Sequence, residues 1–184
     1  LSSVAESMIV NNYADHIYTL SKGVSWITFQ NECVAVRIDD QLCKQGKGIT
    51  LYSAFKQNLK GDKIYTVFED SEGDEWILTN KGISIVGKKQ VDSDFPFQYI
   101  KEADGIIYLV SQSDKLASYN FKTRQFKFIE IPYHVSMINE VKKFDSNTLL
   151  LATDNGLIIY KIKEKEFQLI DIRTSTQPSN VVQS

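Results

Sequence analysis

Apolar residues along this chain fall in short runs, some alternating with polar residues and some continuous, and almost never at helical spacing. IYTVF (64–68), EWILT (75–79), ISIV (83–86), IIYLV (106–110), TLLLAT (148–153) and LIIYKI (157–162) are rich in Ile, Val, Tyr, Phe and Trp. Gly, Asn, Asp and Ser separate them, and runs of this kind bounded by turn residues predict β-strands. KFIEI (127–131) and FQLIDI (167–172) interleave polar residues, as strands with a wet side do. None of the three prolines lies inside a strong strand. The pattern predicts an all-β protein.

The pattern also repeats. EGDEWILTNKGI (72–83) and SNTLLLATDNGL (146–157) share a polar turn, an apolar strand, Thr, two polar residues, Gly and a branched aliphatic. Fainter copies are GVSWITFQNECVAV, anchored at Trp26, and GIIYLVSQSDKLASY, anchored at Tyr108. The anchors Trp26, Trp76, Tyr108 and Leu150 recur at intervals of 50, 32 and 42 residues. Each is preceded by another strand, IYTL, IYTVF, FQYI and MINEV, and the third and fourth are followed by one, KFIEI and FQLIDI. The unit is therefore four antiparallel strands in roughly 40 residues, the length of a β-propeller blade.

Lys81-Gly82 and Asn155-Gly156 sit where a tight hairpin needs positive φ, which glycine adopts without steric cost. The third copy reads Ser-Asp-Lys there, and Asp114 in the left-handed region is the expected substitute. IIYLV and TLLLAT have no polar side, so both strands are expected to be covered on both faces, and the four anchors to fill the gaps between stacked sheets. A sandwich is the alternative architecture, but it leaves one face of each strand wet and produces no 40-residue echo. The expected blades are 13–52, 62–92, 96–132 and 136–172, with 173–184 opening a further repeat.

Composition narrows the partners. Apolar residues are 42% and charged residues 24% of the 184, and 21 Lys plus Arg against 23 acids leave a net charge of −2. No basic face for nucleic acid is expected from that balance. No stretch approaches the roughly 20 continuous apolar residues of a membrane-spanning helix. The start, LSSVAESMIV, has neither the basic nor the long apolar region of a signal peptide, and the missing initiator Met suggests a mature or trimmed fragment.

Catalytic and metal-binding patterns are not found. His16 and His134 have no Cys or His at ligand spacing, which argues against zinc. GKGIT (46–50) lacks the order of a phosphate loop, and there is no Gly-x-Ser-x-Gly elbow. EDSEGDE (69–75) lacks the spacing of an EF-hand and reads as a solvated hairpin turn. Cys33 and Cys43 are compatible either with a bridge across a hairpin or with a buried strand thiol and an unrelated loop thiol. Neither a catalytic residue nor a cofactor is expected. Aromatic residues in connections could stack on the C–H face of a sugar, and Tyr13, Tyr52, Phe55, Phe95 and Tyr133 qualify by position, with packing between blades as the alternative role of each.

KIYTVFEDSEGDEWILTNKGI (63–83) resembles the two-component regulator propeller repeat: an Ile-rich strand, Asp, Gly, an apolar residue, Trp-Ile, Thr and Gly-Leu. TLLLATDNGL is similar with Leu150 for the Trp, the first copy keeps Trp26-Ile27 without the Gly, and the third keeps neither. The terminal TSTQPSNVVQS resembles the connector that opens the next unit, so four blades read as a piece of a longer propeller rather than a closed ring. The resemblance implies the periplasmic sensor region of a hybrid two-component protein, with an oligosaccharide signal. It further implies a membrane-anchored, dimeric parent whose histidine kinase and phosphorelay modules lie outside this chain. A non-enzymatic protein-interaction scaffold is the alternative, and a noncatalytic fragment of a carbohydrate-active propeller enzyme a third. Exposed blade edges predict self-association.

Overall fold

The computed structural model describes residues 13–30, 33–53, 59–88, 96–120, 123 and 125–171. Its strands form four antiparallel sheets in which each strand pairs with its neighbour in sequence. The first sheet comprises β1 (Ala14–Thr19), β2 (Val24–Phe29), β3 (Val34–Asp39) and β4 (Ile49–Ser53). The second comprises β5 (Ile64–Glu69), β6 (Glu75–Thr79) and β7 (Gly82–Ile85), and has three strands among the described residues where four were expected. The third holds β8 (Phe97–Ala103), β9 (Ile106–Ser111), β10 (Leu116–Asn120) and β11 (Gln125–Ile129). The fourth holds β12 (Ile138–Asp145), β13 (Thr148–Thr153), β14 (Gly156–Lys161) and β15 (Glu166–Ile170). These are propeller blades in strand order and size. A short α-helix, α1 (Asp40–Cys43), is capped by the Asp39 carboxylate, which accepts from the Gln41 and Leu42 N–H groups.

The repeated phrase builds a turn. The Thr79 hydroxyl donates to the Gly82 carbonyl at 3.0 Å and accepts from Lys81 N–H at 3.2 Å. Thr153 does the same with Gly156 at 2.8 Å and Asn155 N–H at 3.2 Å. The next residue ties the turn to the segment entering the sheet. Asn80 Oδ1 accepts from Asp62 and Lys63 N–H, and Asp154 Oδ1 from Ser136 and Met137 N–H. Hydrogen bonds from those amides, Met137 foremost, hold the Asp154 carboxyl below the usual carboxylate range. Thr, Asx and Gly are thus three parts of one hairpin connection. In the third copy Ser111 replaces Thr, its hydroxyl accepting from Lys115 N–H at 3.0 Å. Asp114 does not adopt the left-handed conformation expected of it; Lys22, Asp104 and Lys165 are the described non-glycine residues that do.

The chain divides into two compact units, one ending at Gln98 and one beginning at Tyr99. In the first, Val24, Trp26, Cys33 and Ala35 of sheet 1 pack on Leu59, Ile64, Val67 and Ile77, the last three from sheet 2. In the second, Ala103, Tyr108, Val110 and Leu116 of sheet 3 pack on Ile138, Val141, Leu149, Leu151, Ile158 and Tyr160 of sheet 4. Trp26 and Trp76 are fully buried and Tyr108 nearly so, as the anchor reading requires. Leu150 departs from it: the residue is half-buried, while Leu149 and Leu151 enter the core. IIYLV is buried from Ile107 to Val110, but TLLLAT is fully covered only on the Leu149 and Leu151 face; on the other, Thr148 is buried, Leu150 half-buried and Ala152 exposed.

Of the two readings of the cysteines the unbridged one holds, with Cys33 a buried thiol and Cys43 an exposed one. EDSEGDE is not simply a solvated turn, because Asp70 in it is buried. Its Oδ1 accepts from Glu72 and Asp74 N–H, and its Oδ2 accepts the Trp76 indole N–H at 2.8 Å. An indole N–H taken out of water needs such an acceptor, so the carboxylate both shapes the turn and satisfies the core tryptophan.

Candidate functional site

In the first unit β1 and β5, the leading strands of two stacked sheets, face one another across a cleft. Two cross-links span it. Ser21, in the tight turn Ser21–Gly23 after β1, donates its hydroxyl to Glu69 Oε1 and its N–H to Glu69 Oε2, both at 2.6 Å. The hydroxyl bond above all, with help from the Ser21 amide and the Lys22 charge, depresses the Glu69 pKa against the opposing effect of burial. The Tyr18 hydroxyl lies 3.5 Å from the Tyr65 carbonyl oxygen. Burial pushes the Tyr18 phenol up, so it stays a neutral donor.

The cleft encloses about 330 Å³ and is lined by Tyr18, Thr19, Leu20, Ser21, Val67, Phe68 and Glu69. It combines the Tyr18 ring with the Tyr18 and Ser21 hydroxyls and the Glu69 carboxylate, a mixture that can stack on a sugar ring and hydrogen-bond its hydroxyls, whereas Phe68 pairs with Trp76 and turns its ring to the other face of sheet 2. His16 stacks on Tyr18 with centroids 5.9 Å apart, and its Nδ1 lies 3.2 Å from Asp15 Oδ2, extending the polar edge along β1.

A second cleft, about 200 Å³, opens at the opposite edge of the same pair of sheets, with Tyr52, Leu59, Ser84, Val86 and Lys88 in its wall. Tyr52 rests on Trp26 with ring centroids 4.6 Å apart. Between the two clefts the sheets are held by Glu75. Its carboxylate accepts the Trp26 indole N–H at 2.6 Å and both Nε and Nη2 of Arg37, at 2.9 and 2.8 Å. Arg37 also reaches Asp39 at 3.3 Å. The bonds to Glu75 raise the Arg37 pKa further.

The aromatic candidates separate. Tyr13 is 82% exposed, and its carbonyl accepts from Gln30 N–H at 3.0 Å. Tyr52 lines the second cleft. Tyr133 packs on the core of the second unit and donates to the Phe167 carbonyl at 3.0 Å, which is the structural role. Phe55 and Phe95 lie outside the described residues. Tyr13, Tyr52 and Tyr133 do not line the larger cleft, whose ring comes from Tyr18, within strand β1. Tyr18 lies within a strand and not in a connection, where the aromatic candidates were expected. The signal was the matched pair IYT at 17–19 and 64–66, which marks equivalent strands of adjacent blades. Its counterpart in the second unit is Tyr99, whose hydroxyl donates to the Asn139 carbonyl at 2.5 Å. His134 is exposed, and among the described residues no group of three or more His, Cys, Asp or Glu could hold a metal ion. No described helix is long and apolar enough to cross a membrane.

No protein-family model matches the chain, and no curated protein matches it in sequence. Solved structures do match. The extracellular domain of the one-component system BT4673 from B. thetaiotaomicron superposes on 87% of this chain with a TM-score of 0.68 and 20% identity. The extracellular domain of the hybrid two-component system BT3049 from the same organism covers 86% with a TM-score of 0.65 and 20% identity. Virginiamycin B lyase from Staphylococcus aureus covers 88% with a TM-score of 0.69 and 17% identity. The chain spans 24%, 22% and 56% of those three chains respectively. At these identities the likeness shows the shared fold: β-propeller blades.

Proposed function

We propose that this chain is a segment of the extracytoplasmic sensor region of a two-component signalling protein, and that its signal is an oligosaccharide bound in the cleft between β1 and β5. The observation that carries the reading is that cleft: a ring from Tyr18, the Ser21 hydroxyl and the Glu69 carboxylate arranged across a joint between sheets. The fold shared with the extracellular domains of a one-component and a hybrid two-component system supports the sensor role. The lyase shares the fold too, so the site and not the fold bears the argument. A sugar ring entering between the strands would contact both sheets and change their spacing at the Ser21–Glu69 link. Small shifts at a joint of this kind can be passed on as a change in packing. In this reading the parent is membrane-anchored and dimeric, the segment lies in the periplasm, and phosphoryl transfer belongs to other modules.

Titration calorimetry of the chain against a panel of host and plant oligosaccharides tests the proposal. Saturable heat with at least one glycan is expected, weakened tenfold or more by Tyr18→Ala and by Ser21→Ala. Binding that survives both substitutions would move the site elsewhere. An absence of heat from every glycan, together with a stable protein partner in pull-downs, would favour an interaction scaffold.

A further inference from the structure

The second cleft is lined by a buried hydroxyl without a partner among the described residues. Ser84 on β7 pairs with Ile77, and the two share the face that packs on sheet 1. Ser84 is 8% exposed, yet no described residue forms a hydrogen bond with its side chain. Every sealed side-chain nitrogen or oxygen among those residues has a partner, so the Ser84 oxygen is reached from the cleft that it lines. Tyr52 comes from the other side, on β4, where it pairs with Ala35 of the same core. Its hydroxyl also has no partner among the described residues. Burial pushes the Tyr52 phenol up against the opposing Arg37 charge, so it stays a neutral donor. A hydroxyl withdrawn from bulk water is unfavourable until something in the cleft bonds to it.

Two features select the occupant. The charges in reach are taken: Lys88 in the wall is paired with Asp74, and Glu75 accepts from Trp26 and Arg37. An anion would have to break the Lys88–Asp74 pair, which favours an uncharged molecule. Leu59, Ile77 and Val86 make the wall otherwise aliphatic. A sugar would press hydroxyls against these side chains without partners, whereas a ring with a single hydroxyl leaves none unbonded. The size agrees: the cleft holds about 200 Å³, against the roughly 150 Å³ of an apolar cavity that takes up benzene.

We propose that the cleft between β4 and β7 binds a small phenol, with its ring between Tyr52 and the aliphatic wall and its hydroxyl bonded to Ser84 Oγ. An aromatic ring is preferred over a saturated one because Tyr52 offers a ring to pack on. Ser84 can accept the phenol proton or donate to its oxygen, and Tyr52 can supply a second bond. The cleft lies at the edge of the sheets opposite the oligosaccharide site, and the inference does not rest on that site.

Fluorine NMR of the chain with 4-fluorophenol and 4-fluorotoluene, which match in size, tests it. Saturable binding of the phenol is expected, with a dissociation constant on the order of 1 mM. Overhauser contacts are expected from its ring protons to the Ile77 and Val86 methyl groups. Ser84→Ala is expected to weaken 4-fluorophenol roughly fivefold and to leave the affinity for 4-fluorotoluene as it was. Binding of 4-fluorobenzoate is expected to be about tenfold weaker than that of the phenol. A phenol that does not saturate, contacts to other residues, or a Ser84→Ala variant that weakens both ligands alike would overturn the proposal. So would tighter binding of the benzoate, because Lys88 would then be free to hold an anion. The Overhauser contacts and the comparison with benzoate use the unaltered chain, so they decide the matter even where the variant fails to fold.

Discussion

Glu75→Gln is the sharpest perturbation of the joint between sheets 1 and 2. The Glu75 and Arg37 side chains are 13% and 17% exposed, and the carboxylate holds the Arg37 fork and the Trp26 indole at once. A glutamine keeps the volume but offers one acceptor oxygen, and its NH2 is turned toward another donor. Breaking one side of a fully buried ion pair costs about 3–5 kcal/mol, and the residual exposure here lowers the expectation to about 2–4 kcal/mol. Replacing both partners with apolar residues, Arg37→Met with Glu75→Leu, removes the buried pair together, leaves Asp39 with its bonds from the Gln41 and Leu42 N–H groups, and is expected to cost about 1 kcal/mol more than the indole bond alone is worth. Urea titrations followed by tryptophan fluorescence measure both, since Trp26 sits in the network. A Glu75→Gln chain within about 0.5 kcal/mol of the parent, or a double variant weaker than the single, would refute the shared-acceptor account.

Gly156→Ala and Gly105→Ala separate close approach from conformation. A Cβ on Gly156 (φ +125°) would lie 2.4 Å from the Ile170 carbonyl oxygen, whereas one on Gly105 (φ +68°) would meet nothing within 4 Å. Thermal unfolding should show a loss of about 3 kcal/mol for the first and about 1 kcal/mol for the second. Burial pushes the Tyr108 phenol up to about 12, mainly by desolvation. Because the raised value favours the protonated, folded form, its stabilising effect is complete below the ordinary tyrosine pKa of about 10 and is lost as pH rises toward 12. Unfolding free energy measured between pH 8 and 12 should fall less steeply for Tyr108→Phe than for the parent.

Much of the fold was legible in the residues. Runs such as IIYLV and LIIYKI can only be strands, and the Thr-Asx-x-Gly phrase specifies its own turn because all its hydrogen bonds close within a few residues or onto the adjoining segment. The first cleft was not legible. Tyr18 is an ordinary strand aromatic in the sequence, and only the stacking of β1 beside β5 sets its ring at a cleft. Ser21 and Glu69 likewise become partners across 48 residues without a local signature.

Local pattern alone determined where the chain extends and where it turns, since strand propensity and glycine's freedom act over a few residues. It also marked which strands are apolar on both sides. Tertiary structure decided what each side meets. Asp70 is drawn inward by an indole that needs an acceptor, Glu75 is shared because two sheets bring an arginine and a tryptophan to it, and the Leu150 face of sheet 4 is left partly open. An apolar surface records that burial would be favourable; whether anything lies against it depends on the distant residues that folding brings there.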